Sequence, residues 1–212
     1  MFVNSRVTEY EGAEHLATAG KEVLNNPSLD MAIVHGVDFP HASVFDLPRE
    51  ELLEILDNVD SYIPQLQELD QEVSDWWESC GAGPRVQLRP HLRGNAVVTG
   101  SALHTDSHLT GPLSISLRID RSRQSRIFYA KRSNDSILDS DGNLSFAFAL
   151  QRERKANSLR SRALKLGVSA VKQCRGDAIF FANSPYPTVH GVRTRDFKTE
   201  ALTMHYGLVE IP

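Results

Sequence analysis

The spacing of apolar residues changes near residue 83 of the 212-residue chain. Before that point, apolar positions recur at the three-to-four-residue period of an amphipathic helix. The longest such stripe runs from Val59 to Trp77, so we expect a helix whose apolar face, tryptophans included, packs on a sheet. Two earlier helices are predicted at 12–26 and 47–57, and one short strand at 31–37.

After residue 83 the chain becomes a series of short strand-like segments separated by turn residues. Successive strands without helices between them favour an antiparallel sandwich or barrel over a parallel sheet. The prediction is an α+β fold, a jelly-roll-like barrel with N-terminal supporting helices. We expect one domain over 1–212, in which 1–83 is mostly helical support and 84–212 is the barrel core. The predicted strands are 85–93, 95–100, 113–119, 126–131, 162–172, 177–182, 188–192 and 200–211.

Composition disfavours several classes of function. The net charge of −4 provides no general attraction for nucleic acid or for anionic membranes, so neither is an expected partner. No apolar run approaches the roughly 18 residues that a membrane helix needs. The first residues lack the basic and then apolar pattern of a signal peptide, which makes the cytoplasm the expected location. The 2 cysteines form no disulfide framework, and no pattern specifies an oligomeric state.

A candidate metal site begins at the His-Thr-Asp sequence of residues 104–106. Side chains alternate along an extended backbone, so His104 and Asp106 point the same way. The best third ligand is His190, which follows a strand opened by a Gly-Asp turn. Two histidines and one carboxylate form the facial triad of non-haem Fe(II) oxygenases and leave the opposite face of the metal open. The same donors also suit Mn²⁺ or Zn²⁺, so ligand type alone does not choose the metal.

These segments resemble the Fe(II)/2-oxoglutarate-dependent dioxygenase superfamily. The matching stretches are HTD at 104–106, GDAIFFANSPYPTVHGV at 176–192 and EALTMHYGL at 200–208. The resemblance implies a double-stranded β-helix, or cupin-like jelly roll, with Fe(II) held by His104, Asp106 and His190. It also implies that O₂ and 2-oxoglutarate are consumed, that succinate is released and that a substrate C–H bond is oxidised.

The chain departs from the usual family pattern at the cosubstrate anchor. In most members, a basic residue early in the last core strand pairs with the far carboxylate of 2-oxoglutarate. Thr199 or Glu200 stands near that place here, and neither offers the charged, bidentate donors of an arginine. Arg193 and Arg195 lie nearby. In a subgroup similar to JmjC proteins and asparaginyl hydroxylases, the basic residue lies instead on the strand after His-x-Asp, which here is 113–119.

That strand has two unlike faces. Alternation places Ser114, Ser116 and Arg118 on one face and only aliphatic residues on the other. The small polar face suits a barrel interior that holds a ligand, and the aliphatic face suits packing against helices. Arg118 is therefore the first candidate for the carboxylate anchor, ahead of the two later arginines. The alternative is a surface arginine at a strand end, which the charged residues just after it favour.

The expected activity is C–H oxidation, most simply hydroxylation, of a small substrate such as an amino acid or a natural-product intermediate. The short chain leaves little room for a domain that recognises macromolecules. An iron oxidase that does not use 2-oxoglutarate and a non-catalytic jelly-roll binding module stay open as alternatives. No catalytic residue is predicted beyond the metal ligands. The candidate pocket residues are His108, Ser116, Asn183, Tyr186 and His205, of which His205 is equally well interpreted as a hydrogen-bonded core histidine.

Overall fold

The computed structural model describes eleven stretches of the chain: 7–29, 31–37, 39, 41–57, 63–79, 86–91, 112–119, 125–130, 168–183, 188–194 and 203–208. Within them, the α-helices are α1 (Leu16–Asn25), α2 (Arg49–Asp57) and α3 (Pro64–Ser79), and short 3-10 helices cover Ala13–His15 and Ser43–Asp46. The strands are β1 (Val7–Glu11), β2 (Met31–His35), β3 (Val86–His91), β4 (Leu113–Arg118), β5 (Ser125–Ala130), β6 (Val168–Gln173), β7 (Ala178–Ala182), β8 (Val189–Thr194) and β9 (Thr203–Leu208).

The described strands form two sheets. The larger has the order β1-β2-β7-β4-β9-β3, and the smaller has the order β6-β5-β8. Every pairing is antiparallel except that of β1 with β2, which is parallel. The antiparallel arrangement predicted from the turn-separated strands is therefore confirmed for the strands after residue 83.

Helices α1 and α3 cover one face of the larger sheet. On α3 the stripe residues Leu66, Leu69, Val73 and Trp77 are buried. Trp77 is 3% exposed, so this tryptophan belongs to the core. Helix α1 approaches it closely at Gly20, where an added Cβ would lie 2.4 Å from the Trp77 ring. The core on this face joins both helices to side chains of β2, β4, β7 and β9. None of the described helices is long and apolar enough to cross a membrane.

The N-terminal part contributes more than helices. The predicted strand at 31–37 is observed as β2, but β1 carries a mixed polar sequence that did not predict a strand. Both strands extend the larger sheet beyond β7, so the boundary predicted near residue 83 does not separate a helical layer from a sheet. The predicted strand at 95–100 lies outside the described residues.

The two sheets face each other across the side of the larger sheet that the helices leave uncovered. A small apolar cluster of Met31, Ile33, Ile179 and Phe181 on this side packs against Val171 of β6. The polar face of β4 also borders this inter-sheet interior.

Candidate active site

Strand β4 presents its polar face to the inter-sheet interior. Its aliphatic residues belong to the core under the helices, so the alternate residues Ser114, Ser116 and Arg118 face the other way. In the register with β9, Ser116 lies opposite His205 and Arg118 lies opposite Thr203. Directly opposite residues share a face of an antiparallel sheet. The predicted division of β4 into two faces is confirmed, and it extends onto β9.

Arg118 is the largest fully buried side chain on the polar face, at 1% exposure. The interpretation of Arg118 as a surface arginine at a strand end is therefore wrong, although charged residues follow it directly. A guanidinium stays protonated in proteins, and a buried charge is tolerated only where opposite charge or hydrogen-bond acceptors meet it. The structure thus keeps a permanent positive charge between the two sheets.

His190, the predicted second histidine ligand, lies on β8 of the smaller sheet and is 3% exposed. Its ring stacks on Phe181 of the larger sheet, with 4.1 Å between the centroids and 10° between the planes. Its Nδ1 lies 3.1 Å from the Thr188 carbonyl oxygen. Because a carbonyl can only accept, Nδ1 carries the hydrogen, and in the neutral ring the lone pair is then on Nε2. Metal-bound histidines are commonly oriented by such a bond to a backbone carbonyl.

Asn183 joins the end of β7 to the start of β4. Its side-chain Nδ2 donates to Ser114 Oγ at 2.7 Å, and its backbone N–H donates to the Pro112 carbonyl at 2.9 Å. The Thr188 N–H donates to the Ala182 carbonyl at 2.8 Å, which joins the start of β8 to the end of β7. Asn183 was predicted as a pocket residue, and the structure places it buried beside the start of β4.

His205 is partly buried, and its Nε2 lies 3.0 Å from Thr203 Oγ1. Both residues share the face of Ser116 and Arg118 by register. His205 and Ser116, two of the predicted pocket residues, therefore neighbour each other in the inter-sheet interior.

Several predicted site residues lie outside the described residues: His104, Asp106, His108, Tyr186 and Arg195. Arg193 lies in β8, where the backbone pairs it with Arg126. Within the part of the chain that the structure describes, no three metal-ligating side chains form a cluster. The meeting of His190 with the other two proposed ligands stays a prediction.

Sequence reasoning missed Gln173, the last residue of β6. It is 1% exposed, and its Nε2 donates to the carbonyl oxygens of Ser116 at 3.1 Å and Asp177 at 3.3 Å. A glutamine at the end of a strand ordinarily suggests a surface position. No local pattern shows that this one crosses between the sheets.

Comparisons with solved structures show which known proteins share this fold. No model of a protein family matches the chain, and no curated protein matches it. Among solved structures, matches include a non-haem α-ketoglutarate-dependent enzyme, so the predicted likeness to the Fe(II)/2-oxoglutarate-dependent superfamily is confirmed at the level of the fold.

That enzyme is the epimerase SnoN from nogalamycin biosynthesis, with a TM-score of 0.54, 14% identity, and coverage of 93% of this chain and 83% of that one. A second SnoN structure, in complex with Fe³⁺, α-ketoglutarate and nogalamycin RO, has a TM-score of 0.53 and 12% identity, with the same coverage. A prolyl-4-hydroxylase from Pseudomonas putida has a TM-score of 0.48 and 11% identity, and covers 93% of this chain and 95% of that one.

Proposed function

We propose that this protein is an Fe(II)/2-oxoglutarate-dependent oxygenase that oxidises a C–H bond of a small substrate, with hydroxylation as the expected outcome. One observation carries the proposal: a fully buried arginine and a buried histidine, on facing sheets, border the same interior. The fold is shared with SnoN, whose structure in complex with Fe³⁺ and α-ketoglutarate supports these two cofactors. The proposal includes a single domain in which the two sheets close into a jelly-roll barrel, and a cytoplasmic location.

The proposed metal ligands are His104, Asp106 and His190. The described member of this set fits the role, because His190 is buried, its Nδ1 donates to a backbone carbonyl and its ring is held by stacking. An iron ion bound there would supply the oxygen chemistry that amino-acid side chains lack. The protein's own contribution is to fix the direction of the imidazole and to exclude bulk water from the interior.

Arg118 is proposed to bind the far carboxylate of 2-oxoglutarate. Ser114, at the His190 end of β4, and Arg118 are separated by about 13 Å along an extended strand. A long arginine side chain and a five-carbon diacid together can bridge such a gap. The later arginines are weaker candidates: Arg193 lies an odd number of positions from His190 on β8, so alternation does not place the two residues on one face.

The test starts with anaerobic titration of the Fe(II)-loaded protein by 2-oxoglutarate. A weak visible charge-transfer band is expected, and succinate is expected once O₂ is admitted. His190→Ala is expected to remove both signals. The matched control is His15→Ala, because the His15 side chain is 42% exposed and contacts Tyr10 and Glu14.

The alternatives predict other results. If the wild-type protein gives neither band nor succinate, the oxygenase proposal fails. Iron-dependent O₂ consumption without any effect of 2-oxoglutarate would indicate the iron oxidase. Unchanged metal content in both His190→Ala and His104→Ala would indicate the non-catalytic binding module.

A further inference from the structure

We propose that Gln173 is a positioning residue. Its side chain hydrogen-bonds from the smaller sheet to the backbone of a β-bulge, and this contact fixes the backbone from which Arg118 reaches the far carboxylate of 2-oxoglutarate. This inference rests on the function proposed above. Three backbone segments meet at Arg118: the end of β4, the turn before β7 and the end of β6.

The turn before β7 forms a bulge whose single opposing residue is Arg118. The Gly176 N–H donates to the Arg118 carbonyl at 2.9 Å, and the Arg118 N–H donates to the Asp177 carbonyl at 3.0 Å. Two residues of one strand thus face one residue of the other, with a glycine at φ 75° in the first position. This is the pattern of a G1 bulge, which turns the strand and changes the direction of the side chain opposite it. The Asp177 N–H closes the preceding tight turn on the Cys174 carbonyl at 3.1 Å.

The bulge is held from the outside by β2 and by its own aspartate. The Val37 N–H donates to the Gly176 carbonyl at 2.5 Å. The Asp177 carboxylate, 5% exposed, accepts a hydrogen bond from the Cys174 N–H at 2.7 Å and lies 3.1 Å from Nδ1 of His35. These contacts fix the turn, but none of them reaches β4.

Gln173 supplies the contact on the interior side. Its amide nitrogen donates to the Asp177 carbonyl, which also accepts the Arg118 N–H, and to the Ser116 carbonyl, two residues before Arg118. One buried side chain from the smaller sheet therefore joins both strands that carry the bulge. If these bonds are removed, two buried carbonyls lose a donor and the backbone at Arg118 is released from the opposite sheet.

Displacement of this backbone should affect one end of the bound 2-oxoglutarate more than the other. A long side chain transmits a shift of its own Cα to its charged end, and a misplacement of about 1 Å reduces the productive fit of a bound group severely. The metal ligands lie on other segments. Loss of Gln173 should therefore weaken binding of the far carboxylate and spare the keto-acid end of the molecule.

The main variant is Gln173→Met, which keeps the length and removes the N–H donors. Its control is Lys172→Met, an exposed position next to it on β6. Dissociation constants are measured anaerobically on Fe(II)-loaded protein for 2-oxoglutarate and for 2-oxobutyrate, a 2-oxo acid without a second carboxylate. Fe(II) affinity is measured separately. For Gln173→Met we expect the 2-oxoglutarate constant to rise about tenfold, with the 2-oxobutyrate and Fe(II) constants unchanged, and we expect the control to match the wild type.

Equal weakening of both acids, or no weakening, would overturn the inference. If Gln173→Met does not fold, Gly176→Ala replaces it, because a Cβ at φ 75° strains the same bulge while keeping the glutamine; the same selective loss is expected. Arg118→Gln separates the two proposals. A wild type that binds no 2-oxoglutarate refutes the function and this inference together. Selective loss in Arg118→Gln with wild-type affinity in Gln173→Met refutes this inference alone.

Discussion

Replacing Arg118 with methionine tests the cosubstrate anchor most directly. The side chain is 1% exposed, on the central strand β4 of the larger sheet. Methionine keeps most of the volume and flexibility and removes the charge and all donors. The prediction is a large and selective loss of 2-oxoglutarate affinity in a protein that still folds.

The magnitude follows from the hydrogen bonds that a guanidinium and a carboxylate form. A bidentate pair has two charge-assisted bonds, and each such bond contributes about 1.5 kcal/mol at the lower end of the usual range. The sum of about 3 kcal/mol corresponds to about a 100-fold rise in the dissociation constant. Solvent screening does not reduce this figure much, because the position is buried.

The stability of Arg118→Met is measured by denaturant unfolding in the absence of 2-oxoglutarate. Removing one member of a buried hydrogen-bonded contact costs about 1–3 kcal/mol, so a modest loss of stability is expected beside the loss of affinity. This measurement separates loss of the anchor from loss of the fold.

The assay is anaerobic titration of Fe(II)-loaded protein, with the charge-transfer band as the signal, and succinate formation at varied 2-oxoglutarate as a second measurement. Arg49→Met on α2 is the control for the same chemical change elsewhere in the chain. A rise of less than about threefold in the dissociation constant, under 1 kcal/mol, would refute Arg118 as the anchor and would direct attention to Arg195.

Other changes test the metal ligand, the helix packing and the acidic face of α3. His190→Ala should abolish Fe(II) binding measured by metal analysis, and retained stoichiometric iron would contradict its role as a ligand. Gly20→Ala should destabilise the fold by about 1–3 kcal/mol in denaturant titration, because the new methyl group meets the Trp77 ring; a stabilised variant would show that α1 can move away. Burial raises the pKa of Glu72, whereas hydrogen bonds from Ser43 lower the pKa of Glu68. The hydrogen bonds from Ser43 favour charged Glu68, so the stability that they contribute is lost as pH falls through the folded pKa of Glu68. Burial disfavours charged Glu72, so this residue destabilises the fold as pH rises and its carboxyl group ionises. Glu72→Gln should gain stability over wild type toward neutral pH and Glu68→Gln should lose it; equal pH profiles would refute this assignment.

The faces of β4 could be predicted from the sequence because a strand has a period of two. Once 113–119 is assigned as a strand, the serines and Arg118 must share a face, and the aliphatic residues must share the other. The same holds for α3, where the spacing of apolar residues gives the buried stripe. In both cases the local spacing of residues predicts which side chains share a face, even when the element that packs against that face is unknown.

Elements that depend on distant pairing could not be predicted in this way. Strand β1 is half-exposed and polar at alternate positions, and it is a strand because it pairs in parallel with β2. The Gly-Asp turn is visible in the sequence as a tight turn, but the residue opposite the bulge lies more than fifty positions earlier in the chain. Nothing in the sequence around Gln173 indicates a buried role, because its hydrogen bonds to Ser116 and Asp177 form only when the two sheets pack together. Long-range contacts of this kind leave no periodic signal.

Strand β7 connects the two ends of the proposed site. At one end its Phe181 stacks on His190, and just before its other end Gly176 and Asp177 bind the backbone of Arg118. Its neighbour β4 runs antiparallel with Ser114 opposite Phe181 and Leu117 opposite Ala178. The separation between the proposed metal end and the proposed anchor end is therefore set by the rise of two central, fully buried strands and not by a loop. Sites held by such elements keep their geometry better than sites carried by loops, so the register of β4 with β7 fixes the distance between the Phe181–His190 pair and the backbone of Arg118.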